Sequence, residues 1–373
     1  MSTALRTSQP VSAERAIALI FELVSISSVS RQEEAAVEFF TNALRQLGFS
    51  SSIDEAGNAI GIRGDMSPDA KEIVLLGHID TVPGNIPVRV EDCILHGRGS
   101  VDAKGPLAAF ACAGAQAALP PGIRLVVIGA VEEEASTSKG ARFASTQYRP
   151  SACIIGEPSG VNGVTLGYKG RLLAHVSAQC EGSHSAGPAS TAAELVTDWW
   201  FAARALAQTR NAGHDRVFDQ VQTRLRVIRC GTDQDHETAS ADIGFRLPPG
   251  LDPVEFATSL QALEESARVS VTFRGHEHAH KSDRSDAVVR ALSHAIRGRG
   301  MVPSPKHKTG TSDMNVVAPI WNCPIAAYGA GDSSLDHTPR EHLNLTEYVR
   351  SIEVLTTAIT TLANELVGLH SGT

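Results

Sequence analysis

The sequence predicts an α/β domain with a mainly parallel central sheet, interrupted by a smaller α+β domain of the two-layer sandwich type. Three observations carry this expectation. Short runs such as Ile73-Val-Leu-Leu-Gly77 are uniformly apolar, the mark of strands buried on both faces. Those runs alternate with stretches of helical periodicity. Near Gly167 they give way to alternating strands in a β-α-β-β-α-β order, which leaves one sheet face open to water. A chain of 373 residues has room for about two domains at ~150 residues each.

In order along the chain, residues 13–26 carry Ile17, Ile20, Phe21 and Val24 as a helical stripe. Residues 31–47 repeat the pattern, and Gly48 follows as a stop. Residues 51–62 read as a strand interrupted at Gly57-Asn58. Buried strands are expected at 73–77, 123–131 and 152–156, with an Ala-rich helix at 101–119 and another helix at 138–146. The insertion is expected at 169–282. It holds a strand at 171–180, a long helix at 189–208, strands at 224–230 and 240–247, a helix at 253–267 and a last strand at 269–273. After Ser285 a helix returns, then a buried strand at 324–328, and a long helix from Thr346 to about Leu369. Residues 1–168 and 283–373 thus form one discontinuous domain. No internal repeat or low-complexity segment is present.

Composition excludes several classes. The formal net charge is −8, so nucleic acid is not an expected partner. No 18-residue apolar run offers a membrane span, and residues 1–10 lack the apolar core of a signal peptide. The six cysteines lie too far apart in sequence for a CxxC motif. They read as reduced, mostly buried thiols of a cytoplasmic protein.

Polar clusters stand where the buried strands end, the place where open α/β sheets form their sites. They are Gly77-His78-Ile79-Asp80-Thr81, Gly97-Arg-Gly-Ser-Val-Asp102-Ala-Lys-Gly105, Glu132-Glu133-Glu134, Gly156-Glu157-Pro158-Ser159 and Asp336-His337-Thr338. Carboxylates gathered at one sheet edge repel unless cations neutralise them. Mixed His/Asp/Glu donors suit a pair of zinc ions, one carboxylate bridging them and another serving as base. A rival cluster is His276-Glu277-His278-Ala279-His280, which strand alternation would align and which otherwise reads as a solvated loop. No GxSxG elbow and no GxGxxG fingerprint is present.

The motifs GHIDTVP, GRGSVDAKG, EEEASTSKGAR, GEPS, CEGSHSAGP and GTSDMN together resemble the dinuclear zinc amidohydrolase family of aminoacylase, acetylornithine deacetylase and succinyl-diaminopimelate desuccinylase. The resemblance implies a zinc-peptidase-like catalytic domain carrying an inserted dimerisation domain, and an active homodimer. It assigns His78 and Glu157 to one zinc, Glu134 and His337 to the other, and Asp102 to both, with Asp102 preceding a cis peptide. Asp80 orients His78. The same resemblance makes Glu133 the general base, which would remove a proton from the attacking water and pass it to the leaving amine. The Glu triplet also permits Glu132 and Glu133 in the base and ligand roles. The spacing from Glu134 to Gly140 matches the desuccinylases and favours Glu133 and Glu134. The resemblance makes His184, donated by a partner subunit, the stabiliser of the oxyanion. Arg246 falls where relatives bind a substrate carboxylate, although its spacing from Asp242 departs from the commoner form, and Thr311 lies in the GTSDMN loop. Cobalt or manganese is an alternative to zinc.

EEEASTSKGAR and KTGTSDMNVV bring the sequence nearest to the branch that frees lysine or ornithine from the terminal glutamate of a small acidic carrier protein. Small N-acyl amino acids are the other substrate class, which would make the chain a deacetylase or desuccinylase. A catalytically inactive zinc-binding relative is a further alternative. Between residues 287 and 312 stand Arg290, Arg297, Arg299, Lys306 and Lys308 with no acidic residue. Such a basic rim would attract an acidic partner.

Overall fold

The computed structural model describes residues 11–369 except 183, 185, 234 and 265–267. The last three residues of the expected 253–267 helix, two residues of the CEGSHSAGP motif and the first ten residues therefore lie outside the described part. The chain divides into two compact units. The larger comprises the chain up to Gly167, Ser282–Lys306 and Ser312 onwards; the smaller comprises Tyr168–Lys281 and His307–Thr311.

The strands run β1 Ser50–Ile53, β2 Ala59–Gly64, β3 Lys71–His78, β4 Arg89–Glu91, β5 Ile94–His96, β6 Ile123–Ala130, β7 Ala152–Gly156, β8 Gly163–Tyr168, β9 Gly170–Glu181, β10 Gln222–Asp233, β11 His236–Leu247, β12 Ser270–Glu277, β13 His280–Lys281, β14 Ser304–Lys308, β15 Ile325–Ala327 and β16 His342–Asn344. The helices are α1 Ala13–Ser25, α2 Glu34–Gln46, α3 Lys104–Gln116, α4 Lys139–Gln147, α5 Ala192–Asn211, α6 Pro253–Gln261, α7 Ala287–Gly298, α8 Asp313–Trp321 and α9 Leu345–Leu366.

In the larger unit the main sheet follows the order β1-β2-β6-β3-β7-β15-β8. Its centre is parallel: β3 pairs with β6 and β7, and β15 with β7. The expected interrupted strand at 51–62 is an antiparallel hairpin, β1 and β2, turning through Gly57 at φ +95°. Asp54 closes that turn by accepting the Ala56 and Asn58 amides. Helix α3 begins three residues later than expected, because Ala103 is its non-helical N-cap; the Asp102–Ala103 peptide is cis. Every residue from Lys104 to Ala115 is buried, with α1 and α9 packed against it.

A row of glycines lets α3 lie close to the sheet. Gly129, Gly77 and Gly156 pair with one another across β6, β3 and β7. A Cβ at Gly77 or Gly129 would touch Leu107, and one at Gly156 would meet Phe110 Cε2 at 2.8 Å. The row lies one residue before His78, Ala130 and Glu157, so it fixes the height at which helix and sheet edge meet.

Where the smaller unit begins and ends, the larger unit closes on itself. Ser282 donates its amide to Leu166 at 2.7 Å and its hydroxyl to the Ile325 carbonyl at 2.5 Å. The smaller unit is an antiparallel sheet of order β10-β11-β9-β12. Leu172, Ala174, Val176, Ile243, Phe245 and Val271 form its core with α5 and α6. Helix α5 starts at a capping box of Thr191 and Glu194, and α6 at Asp252 followed by Pro253.

Candidate metal centre

All five strand-end clusters belong to the larger unit, and the fold brings their side chains together. His78 closes β3 and is 2% exposed. Its Nε2 lies 3.2 Å from Asp102 Oδ1, while Nδ1 lies 3.0 Å from the backbone oxygen of Asp80. The Asp80 carboxylate is farther from that ring, at 3.5 Å. In the tautomer that leaves Nε2 free to ligate, the backbone carbonyl therefore accepts the Nδ1 proton.

The Asp80 carboxylate performs a second task. Oδ1 accepts the Glu133 amide and Oδ2 the Glu134 amide, each at 3.0 Å, and Ser30 donates its hydroxyl at 2.7 Å. Glu33, buried, accepts the preceding Glu132 amide at 3.1 Å. Three successive amides after β6 are thus held by two carboxylates. Glu132 sits at φ +59°, a left-handed conformation uncommon outside glycine. The turn sends its side chain to the Thr137 hydroxyl and towards Arg31. Glu134 instead meets His337 Nε2 at 2.8 Å, and that histidine is itself left-handed at φ +60°. Left-handed non-glycine residues and a cis non-proline peptide thus gather at one site.

Two donor groups result. His78, Asp102 and Glu157 offer atoms all within 4.8 Å of one another, and so do Asp102, Glu134 and His337. Asp102 belongs to both, with Oδ1 facing His78 and Oδ2 lying 3.0 Å from His337 Nε2.

The electrostatics of the cluster favour positive charge among its carboxylates. Burial penalises the Asp102 charge, yet hydrogen bonds from His337 and His78 hold its carboxyl far below the ordinary range. Burial also opposes a charge on His78, but Asp102 and Asp80 raise it well above the usual value. Hydrogen bonds to Asp102 and Glu134 raise His337 to about 10. Protons on the histidines occupy the place where the carboxylates demand positive charge, and metal ligation would displace them. The donor set, two imidazoles and three carboxylates in two overlapping groups, fits two divalent cations.

Glu133 is not a member of either group. Burial pushes its carboxyl well above the ordinary range; His78 opposes this, while Asp313, Glu157 and Glu134 reinforce it by repulsion. A carboxylate poised upward in this way suits proton transfer near neutrality.

The chain matches the family described as Peptidase family M20/M25/M40 over residues 74–361. The chain belongs to this family. It is 47% identical over 358 residues to the [LysW]-lysine hydrolase of Deinococcus radiodurans, covering 94% of this chain and 98% of that one. It is 31% identical over 357 residues to the [LysW]-lysine/[LysW]-ornithine hydrolase of Sulfurisphaera tokodaii, covering 90% and 94%. Among solved structures, an M20 family metallo-carboxypeptidase from Sulfolobus solfataricus superposes with a TM-score of 0.76 at 16% identity, covering 93% of this chain and 99% of that one. A tripeptidase from Staphylococcus aureus gives 0.75 at 17% identity, covering 95% and 100%. The shared fold is that of metallopeptidases, and the chain is a metal-dependent hydrolase.

The remaining expected site residues lie in the smaller unit of the enzyme. Arg246 on β11 donates from Nη1 to Thr311 Oγ1 at 2.8 Å, so two residues 65 apart in sequence form one polar pair. His184 is exposed, its Nδ1 accepting the Ala186 amide at 3.1 Å. His276, His278 and His280 form no metal-holding group among the described residues. The basic stretch is less free than its sequence implies. Arg290 pairs with Glu365 at 3.3 Å and Arg299 with Glu353 at 3.0 Å, both acids from α9. Lys306 donates to the Ser159 carbonyl, and Lys308 lies over the Tyr168 ring.

Glu341, only 1% exposed, escaped the sequence reading. Its Oε1 accepts the Val101 and Asp102 amides at 3.0 and 3.1 Å, and its Oε2 binds Arg98 at 2.6 Å. It stands four residues after His337 and clamps the loop that carries Asp102. No short-range motif exposes such a role, because both partners lie about 240 residues away.

Proposed function

We propose that this enzyme hydrolyses the amide between a carrier protein's terminal glutamate and the α-amino group of lysine or ornithine, releasing the free amino acid in amino-acid biosynthesis. The observation that carries the reading is the 47% identity, over 94% of this chain, to a relative named [LysW]-lysine hydrolase.

In this reading His78 and Glu157 would hold one zinc ion and Glu134 and His337 the other, with Asp102 shared between the two groups. When bound, such ions would supply Lewis-acid chemistry, a more acidic water and a polarised acyl carbonyl. Glu133, outside both donor groups, accepts the proton of the attacking water on its carboxylate. It then delivers that proton to the departing nitrogen. Asp80 holds Glu133 and Glu134 in register through their adjacent amides. The Arg246–Thr311 pair receives the carboxylate of the amino acid being freed. His184 of the partner subunit donates to the oxyanion, which makes a cytoplasmic homodimer the active form.

The decisive assay compares carrier conjugates of lysine and ornithine with acetyllysine, acetylornithine and succinyl-diaminopimelate, measuring free amino acid. Faster turnover of an acetyl or succinyl substrate than of either conjugate overturns the carrier reading. Mixing His184→Ala with Glu133→Ala protein tests the shared site: activity returns only if subunits complement each other.

A further inference from the structure

The histidine that follows His337 in the chain, His342, belongs to a second imidazole pair outside the metal centre. His342 on β16 and His96 on β5 are opposite each other in the antiparallel pairing, with ring centroids 5.5 Å apart and planes tilted by 37°. The Gly97 amide donates to the Glu341 carbonyl at 3.5 Å. That bond belongs to the neighbouring pair of residues, so His96 and His342 form a non-hydrogen-bonded pair, the kind that brings side chains closest. Both residues are half-buried.

The two rings are prepared to ligate. His342 Nδ1 lies 2.7 Å from the Arg340 backbone oxygen. A carbonyl can only accept, so Nδ1 carries the proton and Nε2 keeps its lone pair. His78 shows the same arrangement with the Asp80 carbonyl in the metal centre. A backbone acceptor of this kind orients a ligating imidazole. Burial, with Arg89 and His342 adding to it and Glu91 opposing, draws His96 below its ordinary value, so this ring too is neutral at pH 7. Arg89, paired with His96 across β4 and β5, is itself engaged by Glu91 at 3.2 Å. Two imidazoles on one tetrahedral zinc, each nitrogen ~2.0–2.1 Å from the ion, place their ring centres about 5 Å apart. The spacing of His96 and His342 is close to that.

We propose that His96 and His342 form a further metal site, separate from the metal centre, for a divalent first-row transition ion such as zinc, with water in the remaining positions. Among the described residues no carboxylate or thiol joins this pair in a three-donor group, so the site is weaker than the metal centre. Hard ions such as magnesium prefer oxygen donors and are not expected there. The position of the pair gives the site a task. Strands β5 and β16 are three residues each, and they run straight into Arg98 and out of Glu341. Glu341 binds Arg98 and accepts the Val101 and Asp102 amides. An ion held by both rings staples the two strands beside that clamp, and it stabilises the folded chain because only the folded chain presents the pair.

The test starts from enzyme loaded with zinc at its metal centre and freed of excess. Zinc is then titrated calorimetrically through the micromolar range into wild type, His96→Gln, His342→Gln and a control, His276→Gln/His278→Gln. Wild type and control should take up one further zinc per chain, and each single variant should lose about tenfold or more in that affinity. The thermal midpoint of wild type should climb with the logarithm of free zinc, while those of His96→Gln and His342→Gln stay flat. Magnesium should produce neither effect. Anomalous scattering at the zinc edge, from wild-type crystals exposed to the same zinc, should place a peak between the two rings, a readout that needs no variant. The site is refuted if wild type takes up no further zinc, or if the anomalous peak lies elsewhere. It is equally refuted if both single variants keep wild-type affinity, or if the extra zinc is lost only in the control.

Discussion

Glu341→Ala should destabilise the enzyme and loosen its metal centre together. The carboxylate is 1% exposed and holds three donors: the Val101 and Asp102 amides and the Arg98 guanidinium, whose side chain is 12% exposed. Truncation leaves a largely buried cation without its counter-charge, which costs about 3–5 kcal/mol. The two amides are orphaned as well, at ~1–3 kcal/mol each unless water enters the space left behind. Glu341→Gln keeps an acceptor for the amides and forfeits only the charge-assisted bond to Arg98, about 1.5–3 kcal/mol. The order of stability should therefore be wild type, Gln, Ala, read from urea unfolding of the metal-free proteins. Because the Asp102 amide is one of the freed groups, zinc affinity at both positions should fall in Ala more than in Gln. Were Glu341→Ala to unfold within about 1 kcal/mol of wild type and bind two metals with unchanged affinity, the clamp argument would be wrong.

Three further outcomes follow from the geometry. Glu133→Gln should retain both metals and lose turnover by about 10²–10⁴-fold, measured by metal analysis and steady-state rate; loss of a metal instead would make Glu133 a ligand. Lys104 is 1% exposed, donates to the Leu23 and Ile26 carbonyls, and is pulled down to about 8 chiefly by burial. The unfolded chain binds this proton more tightly, so the penalty is full below pH 8 and fades as pH rises towards the free value of about 10.4. The stability of wild type relative to Lys104→Met should accordingly climb over that window, on the order of 3 kcal/mol, and a flat difference in urea midpoints would refute it. Gly156→Ala would drive a Cβ to 2.8 Å from Phe110 Cε2 and 3.1 Å from the Gly77 Cα. The overpacking should cost about 1–3 kcal/mol in unfolding free energy, whereas Gly213→Ala, with nothing within 4 Å but φ +83°, tests backbone strain alone.

The parallel core was legible because burial on both faces writes itself into consecutive residues, as in Ile73 to Gly77. The clusters at His78, Glu132–Glu134 and Glu157 were legible for the same reason, since each directly follows such a run, whereas those of Asp102 and His337 stand on loops. What stayed hidden depended on distance along the chain. In the Glu triplet the spacing to Gly140 favours Glu133 and Glu134 but gives no physical reason, which is the left-handed turn at Glu132 that leaves Glu134 to meet His337. The stretch from 287 to 308 looked uniformly basic because Glu353 and Glu365, which neutralise part of it, come from the last helix. Helix α8 was missed because nine residues with an internal Pro319 give too short a period to read.

The closure of the larger unit at Ser282 has a consequence for how this architecture can be rearranged. The chain leaves at Leu166 and returns at Ser282, where the two backbones are already joined by a hydrogen bond of 2.7 Å. A short turn grafted across that gap would delete the intervening segment while asking the sheet to move little, leaving only residues 307–311 of the smaller unit. New chain ends could equally be opened there. The metal donors His78, Asp102, Glu134, Glu157 and His337 all lie outside the segment that such a turn would remove.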